Sequence, residues 1–229
     1  VKIGPSISLY NDCRQSVTIG RQGDGNWELE KMFARTERLL LRPGWQEDAP
    51  ALARAIGEEA VVRNLATAPW PYGESEAREF LSKPLDPAQP RFLIFARTGG
   101  APRLVGGCGI SPAPEGGLEM GYWIARPYWG LGFATEAGRQ LMGIARAMHL
   151  PKLTAGHFLD NPASGAVLRK LGFRPTGKVA PRYSLARGGD AACALFEEGD
   201  GDADGLVTPM RSRIGVDEDF REELRLMAA

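Results

Sequence analysis

Histidine is nearly missing from this chain: there are two in 229 residues, His149 and His157. A metal site built on imidazole is therefore not expected. Cysteine is almost as scarce. Cys13, Cys108 and Cys193 are widely spaced and odd in number. They make neither a metal cluster nor a disulfide framework, so a reducing cytoplasm is the expected compartment. No charge of one sign prevails, because 28 Lys and Arg balance 28 Asp and Glu. Without a basic stripe, nucleic acid is not an expected partner. No apolar run approaches the about 20 residues that span a bilayer. The first residues lack a charged segment followed by a long apolar one, so neither a membrane partner nor a leader is expected. What the chain does have is 43% hydrophobic residues, enough for one well-filled core and marginal for two.

The most informative stretch is Trp129-Gly130-Leu131-Gly132-Phe133-Ala134-Thr135. It follows an apolar run that reads as a strand, 118–125, and leads into a run that reads as a helix, 134–149. A strand, a glycine-rich turn and a helix N-terminus make an anion site: glycines let backbone N–H groups approach a phosphate, and the helix dipole adds roughly half a positive charge. The turn is not a dinucleotide fingerprint, because Thr135 stands where a third glycine belongs, and it lacks the Gly-Lys pair of a P-loop. Taken alone, the glycines fit a tight turn equally well.

The rest of the chain reads as alternating strands and helices. Strands are expected over 37–42, 91–97, 104–111, 118–125 and 152–158, from Phe173, and within 191–196. Helices are expected over 46–56, 58–66, 74–82, 134–149 and 162–171. The helix at 134–149 carries Ala137, Leu141, Ile144, Ala145 and Met148 on one face, with Glu136, Arg139, Gln140 and Arg146 largely elsewhere. Asn161 and Pro162 suit an N-cap and a first turn, and Gly172 a helix stop. Strands with flanking helices give a mixed α/β layer fold.

Three blocks recur in a known order: Thr36-Glu37-Arg38-Leu39-Leu40-Leu41-Arg42-Pro43, the turn at 129–135, and Asn161-Pro162-Ala163-Ser164 followed by Val167-Leu168-Arg169-Lys170-Leu171-Gly172-Phe173. Together they resemble the GNAT superfamily of acyl-CoA-dependent N-acetyltransferases, in particular the branch with the ribosomal-protein N-terminal acetyltransferases. The resemblance covers about 36–176. It implies an α/β (α+β) fold with a mostly antiparallel central sheet flanked by helices and a splayed strand pair that holds acyl-CoA. It implies acetyl transfer from acetyl-CoA to a primary amine, either a protein N-terminus or a small molecule, without a metal. Trp129, Gly130, Leu131, Gly132, Phe133, Ala134 and Thr135 then bind the CoA diphosphate, with Trp129 where Arg or Gln is usual. Backbone groups of Met120, Tyr122 and Ile124 pair with the pantetheine arm, which Asn161 also contacts. A non-catalytic acyl-CoA sensor on the same fold is the competing reading.

Acetyl transfer needs a neutral amine, a stabilised oxyanion and a protonated or stabilised leaving thiolate. Glu119, in a mostly apolar strand, reads as a base, as an anchor for the substrate ammonium, or as a structural ion-pair partner. The resemblance implies Ser164 as the proton donor to the CoA sulfur, with plain helix capping as the other reading. Trp70 and Tyr72, in the Pro69-Trp70-Pro71-Tyr72-Gly73 loop, either wall the acceptor pocket or latch the first helices. Tyr183 is a weaker candidate acid because its spacing is poor. His157 reads as a packed or capping side chain, and Cys108 as a small buried residue. Arg139, Arg169 and Lys170 read as solvated helix charges or as contacts to the CoA 3′-phosphate.

Residues 1–31 are rich in Gly, Ser, Asn and Gln with no sustained period, and Met32 precedes the first pattern of the domain. This segment reads as an extension or an upstream translation artefact, which the intact mass of the native protein decides. The acetyltransferase domain is expected over 36–196. An acidic, Gly-rich linker follows from 197, with a small amphipathic helix at 217–227 suited to docking on the core or on a second subunit, so a monomer or a homodimer is expected. Asp200, Asp202 and Asp204 imitate a calcium loop, but Arg211 stands where the bidentate Glu belongs.

Overall fold

The computed structural model describes residues 6–10, 16–21, 27–86 and 88–199, with side chains from residue 33 onward. The expected C-terminal helix and the calcium-like run lie outside the described residues. Ten described strands form one sheet: β1 (Ser6–Tyr10), β2 (Ser16–Arg21), β3 (Trp27–Arg35), β4 (Leu39–Arg42), β5 (Arg91–Ala96), β6 (Arg103–Pro112), β7 (Leu118–Ile124), β8 (Leu153–Phe158), β9 (Phe173–Ser184) and β10 (Gly189–Glu198). Their order is β1-β2-β3-β4-β5-β6-β7-β8-β10-β9. Every pairing is antiparallel except β7 with β8. Residues 6–35, which show no period in sequence, extend the sheet at the β4 edge as three strands.

Helices cover both faces: α1 (Ala49–Ile56), α2 (Glu59–Val62), α3 (Glu74–Ser82), α4 (Phe133–Ala147) and α5 (Pro162–Lys170). Leu39, Leu40 and Leu41 are all buried because β4 is covered on both sides. Leu39 and Leu41 join the core under α4 and α5 with Phe92, Ile94, Met120, Leu141 and Phe196. Leu40 points the other way, into the core under α1–α3 with Leu52, Tyr72 and Phe95. This is the period-2 alternation of a strand between two apolar layers.

Two local departures from the sequence reading matter later. Helix α2 is one turn, not the nine residues expected, and the chain from 63 onward becomes loop. In α4, Gln140 is buried and the Glu136 side chain is only 17% exposed. Glu136 is covered because Thr36 and Arg38, in the segment just before β4, grip its carboxylate, which a helical wheel does not show.

The pairing of β7 with β8 stops after Leu118↔Leu153 and Glu119↔Thr154. Both strands continue, β7 to Ile124 and β8 to Phe158, so they splay apart. The wedge opens toward the N-termini of α4 and α5, which follow β7 and β8 in the chain.

Candidate active site

The site is built on that wedge. The Ala125 N–H donates to the Val105 carbonyl of β6 at 2.8 Å. Hydrogen-bonding direction alternates along a strand, so the backbone groups of Met120, Tyr122 and Ile124 face the splay. The Thr154 hydroxyl donates to the Leu118 carbonyl at 3.1 Å, which fits the same alternation. The Met120 and Ile124 side chains are buried in the α4-side core, so what they offer the wedge is main chain. One acceptor is already used: the Trp129 indole N–H donates to the Ile124 carbonyl at 2.6 Å, while the side chain stays 48% exposed. Trp129 thus ties the turn to the end of β7.

In the turn itself, Gly130 and Gly132 have φ of 76° and 80°. That left-handed backbone explains glycine at both positions. Both are exposed, and Gly132 is the N-cap of α4. Phe133 and Thr135 are buried, so from these two only backbone N–H groups can face an anion; Ala134 is half-buried and Leu131 exposed.

Across the wedge, Asn161 caps α5, its side-chain oxygen accepting the Ser164 N–H at 3.4 Å. The Tyr122 hydroxyl lies 2.9 Å from both the Ser164 carbonyl and the Ser164 Oγ. Burial pushes the Tyr122 phenol up to about 12, with the Ser164 hydrogen bond acting in the opposite sense. The structure therefore brings Ser164 and Tyr122 together as a hydroxyl pair linking β7 to the first turn of α5. Sequence reasoning assigned only the backbone of Tyr122; its period-2 position toward β8 was the available signal for the hydroxyl.

Glu119 is not the isolated carboxylate the sequence suggests. Arg182 of β9 donates to its Oε2 at 2.9 Å and to Glu115 at 2.9 Å. Burial acts against the charge on Arg182, but the bond to Glu119 and the charges of Glu119 and Glu115 outweigh it and raise the guanidinium above its ordinary range. A Cβ at Gly156 would sit 2.8 Å from the Cys193 sulfur and 3.3 Å from Glu119 Oε1, so the missing side chain there leaves room for both.

A cleft of 510 Å³ opens beside β5, β6 and β7. Gly107, Gly109, Gly121 and Trp123 contribute to its floor, and Leu65, Tyr72, Phe80 and Leu185 to its walls. Gly109 and Gly121 are register partners, so two adjacent strands present bare backbone there. Tyr72 is placed in this cleft, its phenol pushed up to about 12 by burial and by Glu76 and Glu79. Trp70, 44% exposed, and Glu119 are not among its lining residues.

The remaining candidates fall outside the wedge. Tyr183 is 56% exposed on β9, the sheet edge. His157 Nδ1 is 2.8 Å from the Phe158 carbonyl, and its ring packs 5.5 Å from Phe196. Cys108 is buried, its thiol pushed up to about 12 by burial. Arg139, Arg169 and Lys170 are exposed, with Arg169 5.5 Å over Phe196. Among the described residues no group of three His, Cys, Asp or Glu is placed to hold a metal ion, and no helix is long and apolar enough to cross a membrane.

A splayed strand pair in a mostly antiparallel sheet, with an exposed glycine turn at a helix N-terminus beside it, defines an acyltransferase-type scaffold. The sequence matches the acetyltransferase (GNAT) domain over residues 38–174, and the chain belongs to that family. It is 29% identical over 160 residues to the uncharacterized N-acetyltransferase p20 of Bacillus licheniformis, covering 67% of this chain and 88% of that protein. The GNAT-family acetyltransferase from Bacillus anthracis superposes with a TM-score of 0.61 at 22% identity, covering 72% of this chain and 97% of that one. RimL, a ribosomal α-N-protein acetyltransferase in complex with coenzyme A, superposes with a TM-score of 0.56 at 20% identity, covering 71% of this chain and 94% of that one.

Proposed function

We propose that this acetyltransferase moves the acetyl group of acetyl-CoA to a primary amine by direct attack on the thioester. The observation that carries the reading is the wedge: backbone of Met120, Tyr122 and Ile124 that β8 does not pair on one side, and the exposed Gly130–Gly132 turn at the α4 N-terminus beside it. An extended amide chain adds to such an edge as a strand does, and a diphosphate suits such a turn. When bound, CoA supplies an activated acyl group and a leaving thiol.

The chain's residues then divide the work. The turn holds the diphosphate through main-chain N–H groups, and Asn161 contacts the pantetheine arm. Ser164 presents its proton to the departing sulfur, while Tyr122 donates to the Ser164 carbonyl and holds the serine in place. Tyr122 is suited to this because burial keeps it a neutral phenol through the physiological range. The acceptor enters by the 510 Å³ cleft over Gly121, walled by Tyr72. Glu119, held by Arg182 through one oxygen, retains Oε1 to accept a hydrogen bond from the amine or from a water that takes its proton. Placement of amine against thioester supplies much of the rate. In this reading 36–196 form the catalytic domain, with 1–31 and 197–229 appended.

The test is calorimetric titration of acetyl-CoA into the wild type and Gly132→Asp, followed by thiol release with a panel of amines. Asp places a negative side chain at the diphosphate position and strains the backbone. Binding lost in a variant that still melts cooperatively, and wild-type thiol release with an amine, support the proposal. Binding without release on any amine favours an acyl-CoA sensor, and no wild-type binding overturns both.

A further inference from the structure

We infer that Arg38 is the positioning residue of the diphosphate turn, an inference that rests on the acyl-CoA reading above. The turn from Trp129 to Thr135 contains no cationic side chain. Worse for an anion, Glu136 stands in the first turn of α4. The helix N-terminus offers roughly half a positive charge, which a full carboxylate there cancels. An anion site on this helix needs Glu136 neutralised.

Arg38 does this from the opposite side. Its Nε and Nη2 hold Glu136 Oε2 at 2.7 and 2.6 Å. Its backbone N–H donates to Glu136 Oε1 at 3.0 Å, and the Thr36 hydroxyl donates to the same oxygen. The nearby Arg126 is engaged elsewhere, 3.4 Å from Glu58. Charge-assisted bonds on both oxygens tie the carboxylate to the start of β4.

The third guanidinium nitrogen acts on the turn itself. Arg38 Nη1 donates to the Leu131 carbonyl at 3.0 Å. A trans peptide sends its C=O and the following N–H in opposite directions. Drawing the Leu131 carbonyl toward Arg38 therefore turns the Gly132 N–H away from it, on a turn whose two glycines are exposed. The guanidinium lies 4.8 Å over the Phe133 ring, which sets its plane. Arg38 thus orients a phosphate donor without touching the phosphate. Two polar residues of the Thr36–Pro43 block, Thr36 and Arg38, serve the cofactor turn, nearly a hundred residues away.

The test compares acetyl-CoA with S-acetylpantetheine, which carries the same arm without the diphosphate. Arg38→Gln should weaken acetyl-CoA about tenfold, the loss of a charge-assisted hydrogen bond, and leave S-acetylpantetheine affinity unchanged by NMR titration. Arg38→Lys keeps a cation beside Glu136 but has no fork to reach the Leu131 carbonyl as well. It should show a smaller loss of the same kind, and it keeps the test open if the Gln variant fails to fold. Equal weakening of both ligands, or full acetyl-CoA affinity in both variants, overturns the inference alone. Failure of the wild type to bind acetyl-CoA overturns the reading of the site together with it.

Discussion

Single atoms decide most of what Ser164 and Tyr122 can do. The two hydroxyls are 2.9 Å apart, and either can donate. If Ser164 protonates the leaving sulfur, Ser164→Ala should lower kcat for thiol release about a hundredfold with acetyl-CoA affinity nearly unchanged. Tyr122→Phe keeps the ring packing and removes only the hydroxyl, so a smaller fall in kcat is expected. Steady-state kinetics beside calorimetry separate the two effects. Equal activity in Ser164→Ala would leave the serine as a capping residue. Glu119 teaches the limits of a strand pattern. Its exceptional place in an apolar strand was legible, but its partner was not, since Arg182 lies 63 residues away and reaches it across the sheet.

Whole elements sit where small residues permit it. A Cβ at Gly165 of α5 would lie 2.5 Å from His157 Nε2, so this helix approaches β8 only because that position is glycine. Gly165→Val must push α5 away or displace the imidazole, at a cost of about 1–3 kcal/mol. Denaturant melting reads this cost, and the neighbouring Ser164 should lose activity with it. At the other end of the wall, Arg42 is buried between Trp45 and Phe95, 3.9 and 4.1 Å from their rings. It forks onto Asp48 at 2.7 and 2.8 Å. Asp48→Ala leaves that guanidinium uncompensated and should destabilise the domain by about 3–5 kcal/mol in urea unfolding.

At this scale the sequence was mostly readable. Strong elements such as α4 and β5–β8 lie within a few residues of their expected bounds, because α4 keeps its helical period and a strand covered on both faces, such as β5, reads as a short continuous apolar run. Helix α2 is short because the Arg63 N–H is the last to reach back four residues, and the carbonyls of Arg63, Leu65 and Ala66 accept from the β9–β10 turn instead of continuing the helix. The motif at 36–43 announced a family, yet its polar residues revealed their purpose only when folding placed them beside Glu136 and Asp48.

The molecule as a whole is closed by a knot of charge at its loops. Arg187, in the β9–β10 turn, forks onto Asp160 at 2.8 and 2.9 Å, and Arg63 reaches the same carboxylate at 2.9 Å. The bond from Arg187 holds Asp160 below its ordinary value of 3.8, against a smaller effect of burial and with help from the charges of Arg187 and Arg63. A carboxylate depressed on folding stabilises the protein above its unfolded pKa, and the benefit fades as pH falls through the folded value. The Tm difference between wild type and Asp160→Asn should therefore be present at neutral pH and shrink to nothing in strong acid. A pH-independent difference would mean that the asparagine changes packing, not charge. The solvent-exposed setting keeps the effect modest.

That same turn has a consequence for how the protein is made. The Ser184 hydroxyl donates to the Leu65 carbonyl, the Leu185 N–H to Ala66 and the Arg187 Nε to Arg63, all within 2.9 Å. The wall of the 510 Å³ cleft is thus finished by residues translated more than a hundred positions later. A nascent chain that has emerged only through α5 lacks β9 and β10, so it has neither this wall nor the strand that pairs with β8. Wedge and cleft are both finished by the last described strands.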